Sequence, residues 1–428
     1  MTTTSPALSS IAAEDEAPRD EVLTTTVEPV TVGSAELAEL IAAIAEQASE
    51  RDAGRIHPFE QIDLIRRARL GAMRLAPELG GGGASLRELF DVTLLLGRAD
   101  PNVAHILRNH YAFIEARLLQ QQAAGASAPL DPWLAKAANG LIFGLASTEL
   151  SRGKAGPKDF AYTTTLTRDG DGYRLSGTKY YSTGSYYSDL VPVRAVTEDG
   201  AGAVAIVPAD RPGVDLVDDW DGVGQRLTGT GTTVLRNVRV EIDEILFDAD
   251  NGDGRGTFLA TFPQLYLTTV VAGILRNVLD DAIELVRDRP RTFYHAAADR
   301  PADDPLIQQT IGEISAQAYA AEALVLSAAD ALDASTRHAV GGVRDPELAL
   351  EASLKAAKAK IVVDELGTRT ATLLFDVAGA SASKRSKNLD RHWRNIRTLA
   401  SHNPRQLKAR AIGDLLLNGT PLPDGAFF

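Results

Sequence analysis

Residues able to do chemistry are sparse in this chain. It has seven histidines and no cysteine, which excludes thiolate nucleophiles, disulfides and zinc–sulfur sites. The densest polar stretch is Lys179-Tyr180-Tyr181-Ser182-Thr183-Gly184-Ser185-Tyr186-Tyr187. Aromatic faces with short hydroxyls around one glycine suit a flat, polar-edged heterocycle, although ordinary strand packing would also use them. His105 and His110 fall on one predicted helix. A separation of five residues turns them about 140° apart, so they face different ways. Asn109 shares the face of His105 one turn on. His110 sits on the apolar stripe, where a hydrogen-bonded core histidine is the plainer reading. His402 lies in the turn-like Ala400-Ser401-His402-Asn403-Pro404, the kind of break that carries function more often than a helix interior. His392, inside Asp390-Arg391-His392-Trp393-Arg394, reads as a packed helix end with salt bridges. His57, His295 and His338 read as loop or surface positions.

Other chemistries lack their motifs. No G-x-G-x-x-G follows a strand, and no Walker-type loop, H-E-x-x-H or G-x-S-x-G occurs. The Gly80–Gly83 run lacks the lysine of a phosphate loop. Asp248 to Gly256 superficially resembles a calcium loop but lacks the ligand pattern, so no metal is expected. The net charge of −13, from 44 basic and 57 acidic residues, argues against nucleic acid as a partner. No apolar run reaches 18 residues and no signal peptide is legible, so a cytoplasmic protein without membrane contact is expected.

The elements that must hold these residues come in three blocks. Residues 1–33 have no apolar period and read as a flexible tail. From Leu37 onward a helical period sets in, with Ser34 as a candidate N-cap and Ser85/Glu88 as a capping box. A helix from Pro101 to Gln122 follows, giving a helical block over 34–140. Between 141 and 250, strand-like runs at Tyr162–Thr167, Tyr173–Thr178, Leu190–Val196, Ala203–Val207 and Thr233–Val240 alternate with turns. Asp169-Gly170-Asp171-Gly172 is a hairpin signal. A small antiparallel barrel or sandwich is expected there. Over 251–428 helices return. A 3.5-residue seam runs from Ile307 to Leu332, followed by an alanine-rich helix over Glu347–Phe375.

On Ala146-Ser147-Thr148-Glu149, Gly177-Thr178-Lys179-Tyr180-Tyr181-Ser182-Thr183-Gly184 and Gly224-Gln225-Arg226, the chain resembles the acyl-CoA dehydrogenase superfamily. The resemblance covers roughly residues 35–420. It implies an α+β fold: an N-terminal helical domain, a middle antiparallel β-barrel domain and a C-terminal four-helix bundle. Within that family the chain looks most like the two-component flavin monooxygenases related to dibenzothiophene monooxygenase. The carriers are Trp220-Asp221-Gly222, Arg226-Leu227-Thr228-Gly229-Thr230-Gly231, Asn388-Leu389-Asp390-Arg391-His392-Trp393-Arg394-Asn395-Ile396-Arg397-Thr398 and Ser401-His402-Asn403-Pro404. Dehydrogenases of the family place their carboxylate base eight residues before the arginine matching Arg394 or seven before the glycine matching Gly273, and here those positions are Ser386 and Tyr266, neither of which is a base at neutral pH. An acyl-CoA dehydrogenase with a displaced base is the alternative.

The resemblance implies oxygen chemistry. Reduced flavin from a separate NAD(P)H-dependent flavin reductase would react with O₂. The resulting C4a-hydroperoxide would pass an oxygen atom to sulfur or nitrogen of a small organic molecule. FMN is the expected cofactor, with FAD as the other option. His402 and His105 would manage the proton, with His110 as a further candidate, because imidazole titrates near neutrality. Ser182 would sit by the flavin N5 edge. Tyr181, Ser182 and Thr183 would line the isoalloxazine, with Ser147 and Thr148 on its pyrimidine side. Arg289 and Arg291 would hold the phosphate, and the loop from Gly379 to Ser381 would come from a neighbouring subunit of a homotetramer. Four positions depart from that branch: Asn109 stands for its Tyr, Leu145 for its Asn, Leu399 for its second His and Ser381 for its Arg.

Overall fold

The structure is a computed structural model that describes residues 28–125, 127–150, 162–248, 259–425 and 427–428. The expected tail up to residue 27 and most of the calcium-like connector lie outside these residues. The chain opens with α1 (Ala35–Ala45), α2 (Ala48–Gly54), α3 (Phe59–Arg67), α4 (Leu86–Ala99), α5 (Pro101–Ala124) and α6 (Pro132–Ala138). Local chemistry sets their starts. The Ser34 hydroxyl accepts from Leu37 N, and Ser85 with Glu88 closes the capping box. Asp100 caps α5 by accepting from Asn102 N, with Pro101 at the first helical position.

Strands β1 (Thr165–Asp169), β2 (Gly172–Lys179), β3 (Leu190–Thr197), β4 (Gly202–Pro208), β5 (Val214–Val217), β6 (Thr232–Val240) and β7 (Ile245–Phe247) form one sheet, ordered β5-β6-β2-β1-β3-β4-β7. The hairpin at Asp169–Gly172 forms as its turn residues require, with Gly170 at φ 64°. One seam departs from the antiparallel expectation: β1 and β3 run parallel. The reason is topological. The chain leaves β2, crosses β1 through residues 180–189 and returns antiparallel to β2, hence parallel to β1. The crossing segment is the tyrosine- and hydroxyl-rich stretch.

Helices α7 (Thr261–Arg287), α8 (Pro305–Arg337), α9 (Pro346–Asp376), α10 (Asp390–Ala400) and α11 (Arg405–Asn418) complete the chain. The seam anticipated on α8 buries Ile314, Ala318, Ala321, Val325, Ala328 and Leu332. The N-terminal helices do not keep a core to themselves. Leu89, Phe90 and Leu94 of α4 share a single apolar cluster with Leu265, Val270 and Leu275 of α7 and with the α8 seam. The α4–α7 crossing is close because Gly97 and Gly273 meet there. A Cβ on Gly273 would lie 2.6 Å from Leu94 O and 2.9 Å from the Gly97 Cα. A second core fills one face of the sheet with Leu166, Leu175, Val191, Val193, Ala205, Leu235 and Val238. Among the described residues, no helix is long and apolar enough to cross a membrane.

Candidate active site

The segment leaving β2 is fixed from below by an ion pair. Lys179 is fully buried, and its Nζ lies 2.7 Å from Glu149 Oε1 and 3.3 Å from Ser147 O. Both Glu149 oxygens also accept from the backbone and hydroxyls of Thr163 and Thr164. Burial would raise this carboxyl. Lys179 and the threonine hydrogen bonds outweigh it and hold the pKa down at about 2. Tyr180 N donates to Thr148 O at 2.8 Å, which sets Ser147 and Thr148 against the residues that follow β2. Thr148 is exposed and Ser147 half-buried.

Tyr181 then takes the left-handed region at φ 57°, an uncommon and strained place for an aromatic residue. Its ring stays 56% exposed, edge-on to Trp220 at 6.1 Å between centroids. Ser182 turns inward, and its hydroxyl is buried without a hydrogen-bond partner. The next residues are stitched to the loop before β6. The hydroxyls of Thr183 and Thr230 meet at 2.8 Å, and Gly184 N donates to Thr228 O at 2.9 Å. Asn109 on α5 donates from Nδ2 to Thr183 O at 2.7 Å. This bond fastens Thr183 to α5.

Gln225 joins three elements. It stands at φ 53°, and its backbone N donates to Asn395 Oδ1 on α10 at 2.6 Å. Its Oε1 lies 2.9 Å from Nδ1 of His105 on α5. The preceding Gly224 lets the loop touch α10, since a Cβ there would fall 2.1 Å from Arg394 O. With the amide oxygen toward the ring, Nδ1 carries the proton and Nε2 of His105 presents an unpaired lone pair in a buried place.

His402 enters from the turn after α10. Asn403, beside it, donates to Gln264 Oε1 in the first turns of α7 and to Phe427 O at 3.2 Å. Pro263 O, one residue before Gln264, accepts from Arg108 Nε at 3.2 Å. Adjacent residues of α7 therefore tie the His105/Arg108 face of α5 to the His402 turn. The His402 ring is accessible, yet burial is the leading cause of a pKa pushed well below the ordinary histidine value, followed by the charges of Arg108 and His105. His402 is exposed at this turn, with Phe427 on one side at 6.0 Å between ring centroids and Arg108 and His105 near enough to act on it, and these residues border the candidate recess.

The sequence expectations sort as follows. Hydrogen bonds set Thr183 against α5 through Asn109, His105 of the same helix against Gln225, and Ser147 and Thr148 against Lys179 and Tyr180, the residues just before Tyr181 and Ser182. The expectation that both histidines titrate near neutrality is corrected: burial and Arg108 push His105 down to about 3, and His402 is lowered too. His110 lies apart. It is fully buried, its Nε2 faces Gly71 O at 2.9 Å and its Nδ1 accepts from Phe143 N at 3.2 Å. Both nitrogens are thus spent on backbone. His392 pairs with Asp281 at 2.8 Å, as a packed helix end should. It borders a polar cavity of about 200 Å³ shared with Asp52, Asp100 and Asn395, where the charges are matched by arginines. His57 is no idle loop residue, since it bridges Tyr187 Oη at 2.6 Å and Asp218 at 3.0 Å.

Arg289, Arg291, Gly379 and Ser381 do not join this group within one chain. Arg289 donates to Val377 O at 3.3 Å, and Ser381 Oγ to Ala378 O at 2.8 Å. They sit beyond the far end of α7 from Gln264, roughly 36 Å along a helix rising 1.5 Å per residue. Sequence reasoning missed Arg108, Gln264 and Asn403. Their only local signals are a charge on a half-apolar helix and two amides near helix ends.

A flavin fits these residues. It needs an apolar face and a polar edge. The exposed Tyr181 ring supplies the first, and the unpartnered Ser182 Oγ, His105 Nε2 and Gln225 Nε2 supply donors and acceptors for the second. At the positions where dehydrogenases carry their base, Tyr266 is buried with its hydroxyl donating to Ala104 O at 3.0 Å, and Ser386 is exposed.

Residues 144–238 match the family model for the acyl-CoA dehydrogenase middle domain, and residues 265–406 match that for the acyl-CoA dehydrogenase C-terminal domain. The chain is 30% identical over 390 residues to the probable FMNH₂-dependent monooxygenase SfnC of Pseudomonas putida, covering 89% of this chain and 93% of that protein. It is 32% identical over 393 residues to the dibenzothiophene monooxygenase of Rhodococcus qingshengii, covering 88% and 91%. The crystal structure of FMN-bound TdsC from Paenibacillus sp. A11-2 superposes with a TM-score of 0.80 at 26% identity, covering 91% and 99%. With this fold and these motifs, the chain belongs to the acyl-CoA dehydrogenase superfamily, on its flavin-dependent monooxygenase branch.

Proposed function

We propose that the protein is the oxygenase of a two-component system: it takes reduced FMN from a separate NAD(P)H-dependent flavin reductase and oxygenates sulfur in a small organic molecule. The observation that supports this reading is a pair of buried polar atoms left without partners, Ser182 Oγ and His105 Nε2, on segments that the Asn109–Thr183 hydrogen bond joins. Names of relatives, FMNH₂-dependent and dibenzothiophene monooxygenase, support the cofactor and the sulfur substrate.

Bound reduced FMN supplies the activation of O₂. This chain's residues supply the setting. Tyr181, Ser182 and Thr183 would lie along the ring system, with Ser147 and Thr148 at its pyrimidine side. The Ser182 hydroxyl donates a hydrogen bond at the reacting edge. His105, neutral and oriented by Gln225, accepts one at Nε2. His402, held uncharged, accepts the proton that an oxygen transfer passes on and returns it afterwards. Exclusion of water by bound FMN and substrate would protect reactive species from hydrolytic loss. Arg289 and Arg291, with the Gly379–Ser381 loop, hold the phosphate end from a second copy of the chain in a homotetramer.

The test is turnover under ¹⁸O₂ with photoreduced FMN and a thioether. One labelled oxygen per sulfoxide, with little hydrogen peroxide, is the expected result. Stoichiometric peroxide with no labelled product would refute the reading.

A further inference from the structure

The recess holds positive charge that the chain does not neutralise. Arg108 is half-buried on α5, one turn from His105. Among the described residues its one polar contact is the Nε–Pro263 O hydrogen bond, and it joins no ion pair. An arginine held by Nε alone keeps both terminal nitrogens of its planar fork available, the geometry that grips an oxyanion with two parallel hydrogen bonds. Beside it stand His105, with its unpaired Nε2, and His402. Behind His402 two more cations are buried, Lys360 and Lys408. Lys360 pairs with Asp364 at 2.8 Å, which offsets one charge. Among the described residues Lys408 contacts Phe427 O at 3.2 Å and the Phe428 ring at 4.5 Å, with the charge of Asp364 shared between it and Lys360. Cations thus exceed carboxylates around the recess, in a chain whose overall charge is −13.

We propose that the substrate of this oxygenase is a small organic anion, a thioether or related sulfur compound bearing a carboxylate, sulfinate or sulfonate group, and that Arg108 grips that group while the sulfur faces Ser182. This rests on the oxygenase reading and narrows it, because a neutral polycyclic sulfide would leave the Arg108 fork unmatched. The charge balance agrees from the protein side. Burial lowers the Arg108 pKa to about 10 with no carboxylate to restore it, and Arg108 lowers both histidines. An anion in the recess relieves all three.

The probes are (phenylthio)acetate and its methyl ester, which share the sulfur and differ in charge. Binding to the oligomeric protein is measured by calorimetry, and sulfoxide formation with reduced FMN by chromatography. The acid should bind at least about tenfold more tightly than the ester. Arg108→Gln should weaken the acid about 10- to 100-fold and so remove its preference over the ester. Arg108→Lys, which keeps the charge and loses the fork, should fall between. FMN affinity should be the same in all three proteins. Equal binding and turnover of acid and ester would overturn the anion assignment while leaving the oxygenase reading intact. Selective binding of the acid with no oxygenation of either probe would sustain the anion site and sink the oxygenase reading. A loss of FMN affinity in Arg108→Gln would assign Arg108 to the cofactor and overturn the proposal.

Discussion

The Nδ1 of His105 lies 2.9 Å from Oε1 of Gln225, and this single bond decides which ring nitrogen faces the recess. Gln225 is itself anchored on α10 through Asn395, so α5, the loop before β6 and α10 share one joint. Gln225→Leu should therefore loosen the ring. The expected result is a fall in coupled turnover, a weaker FMN affinity because the Gln225 amide is lost from the flavin edge, and a stability loss of about 1–3 kcal/mol from the unpaired Nδ1. Unaltered coupling would show that the orientation of His105 is irrelevant.

His402→Ala should cut product formation by about 10²–10⁴-fold while reduced FMN is still oxidised, so that hydrogen peroxide replaces product. His57 is unsuitable as the matched control because it bridges Tyr187 and Asp218. His338, exposed at the end of α8, is the better one, and His338→Ala should behave as the parent. Full coupled turnover of His402→Ala would remove that residue from the mechanism.

Lys179→Met should destabilise the fold by roughly 1–3 kcal/mol, because Glu149 keeps its threonine hydrogen bonds but loses the ammonium that pairs with it. Thermal unfolding reads this directly. A pH signature accompanies it. The Glu149 carboxyl is held at about 2, below its ordinary 4.5, so its contribution is complete above about pH 4.5 and is lost as pH falls through 2. Without Lys179 the carboxyl rises, and acid unfolding should begin at higher pH. An unchanged acid midpoint would count against the ion pair as the cause.

Tyr181→Gly should leave the unliganded protein no less stable, because glycine occupies φ near 57° without strain. FMN binding should weaken, since the exposed ring is lost. If affinity is retained, Tyr181 does not line the cofactor.

Arg289→Ala should weaken FMN binding although Arg289 lies a helix length from Ser182 in the same chain. The effect should require assembly, so affinity should fall on dilution below the dissociation concentration of the oligomer. Sedimentation together with a fluorescence titration of FMN checks both. A monomer with full FMN affinity would exclude a contribution from a second copy.

Much was determined by sequence alone because it depends on local rules. Ser34, Ser85 with Glu88, and Asp100 with Pro101 start helices by satisfying backbone donors a few residues away. Asp169-Gly170-Asp171-Gly172 closes a hairpin from its own turn preference, and the 3.5-residue period of α8 marks its buried face. The motifs around residues 146–149, 177–184 and 388–404 placed the chain in its family, and with it the flavin wall.

What only the tertiary structure decided was how side chains distant in sequence share one environment. His105, Gln225, Gln264 and Asn403 are hydrogen-bonded across elements that no local period connects. The spacing of His105 and His110 could not say that the first keeps a free nitrogen and the second spends both on backbone. Composition could not say that, in a chain of charge −13, Arg108 makes no ion pair among the described residues while Lys360 pairs with Asp364. Protonation depends on burial and on which charges stand nearby, and both are properties of the packed chain. The histidines that look neutral-titrating in the sequence are therefore held uncharged by the fold around them.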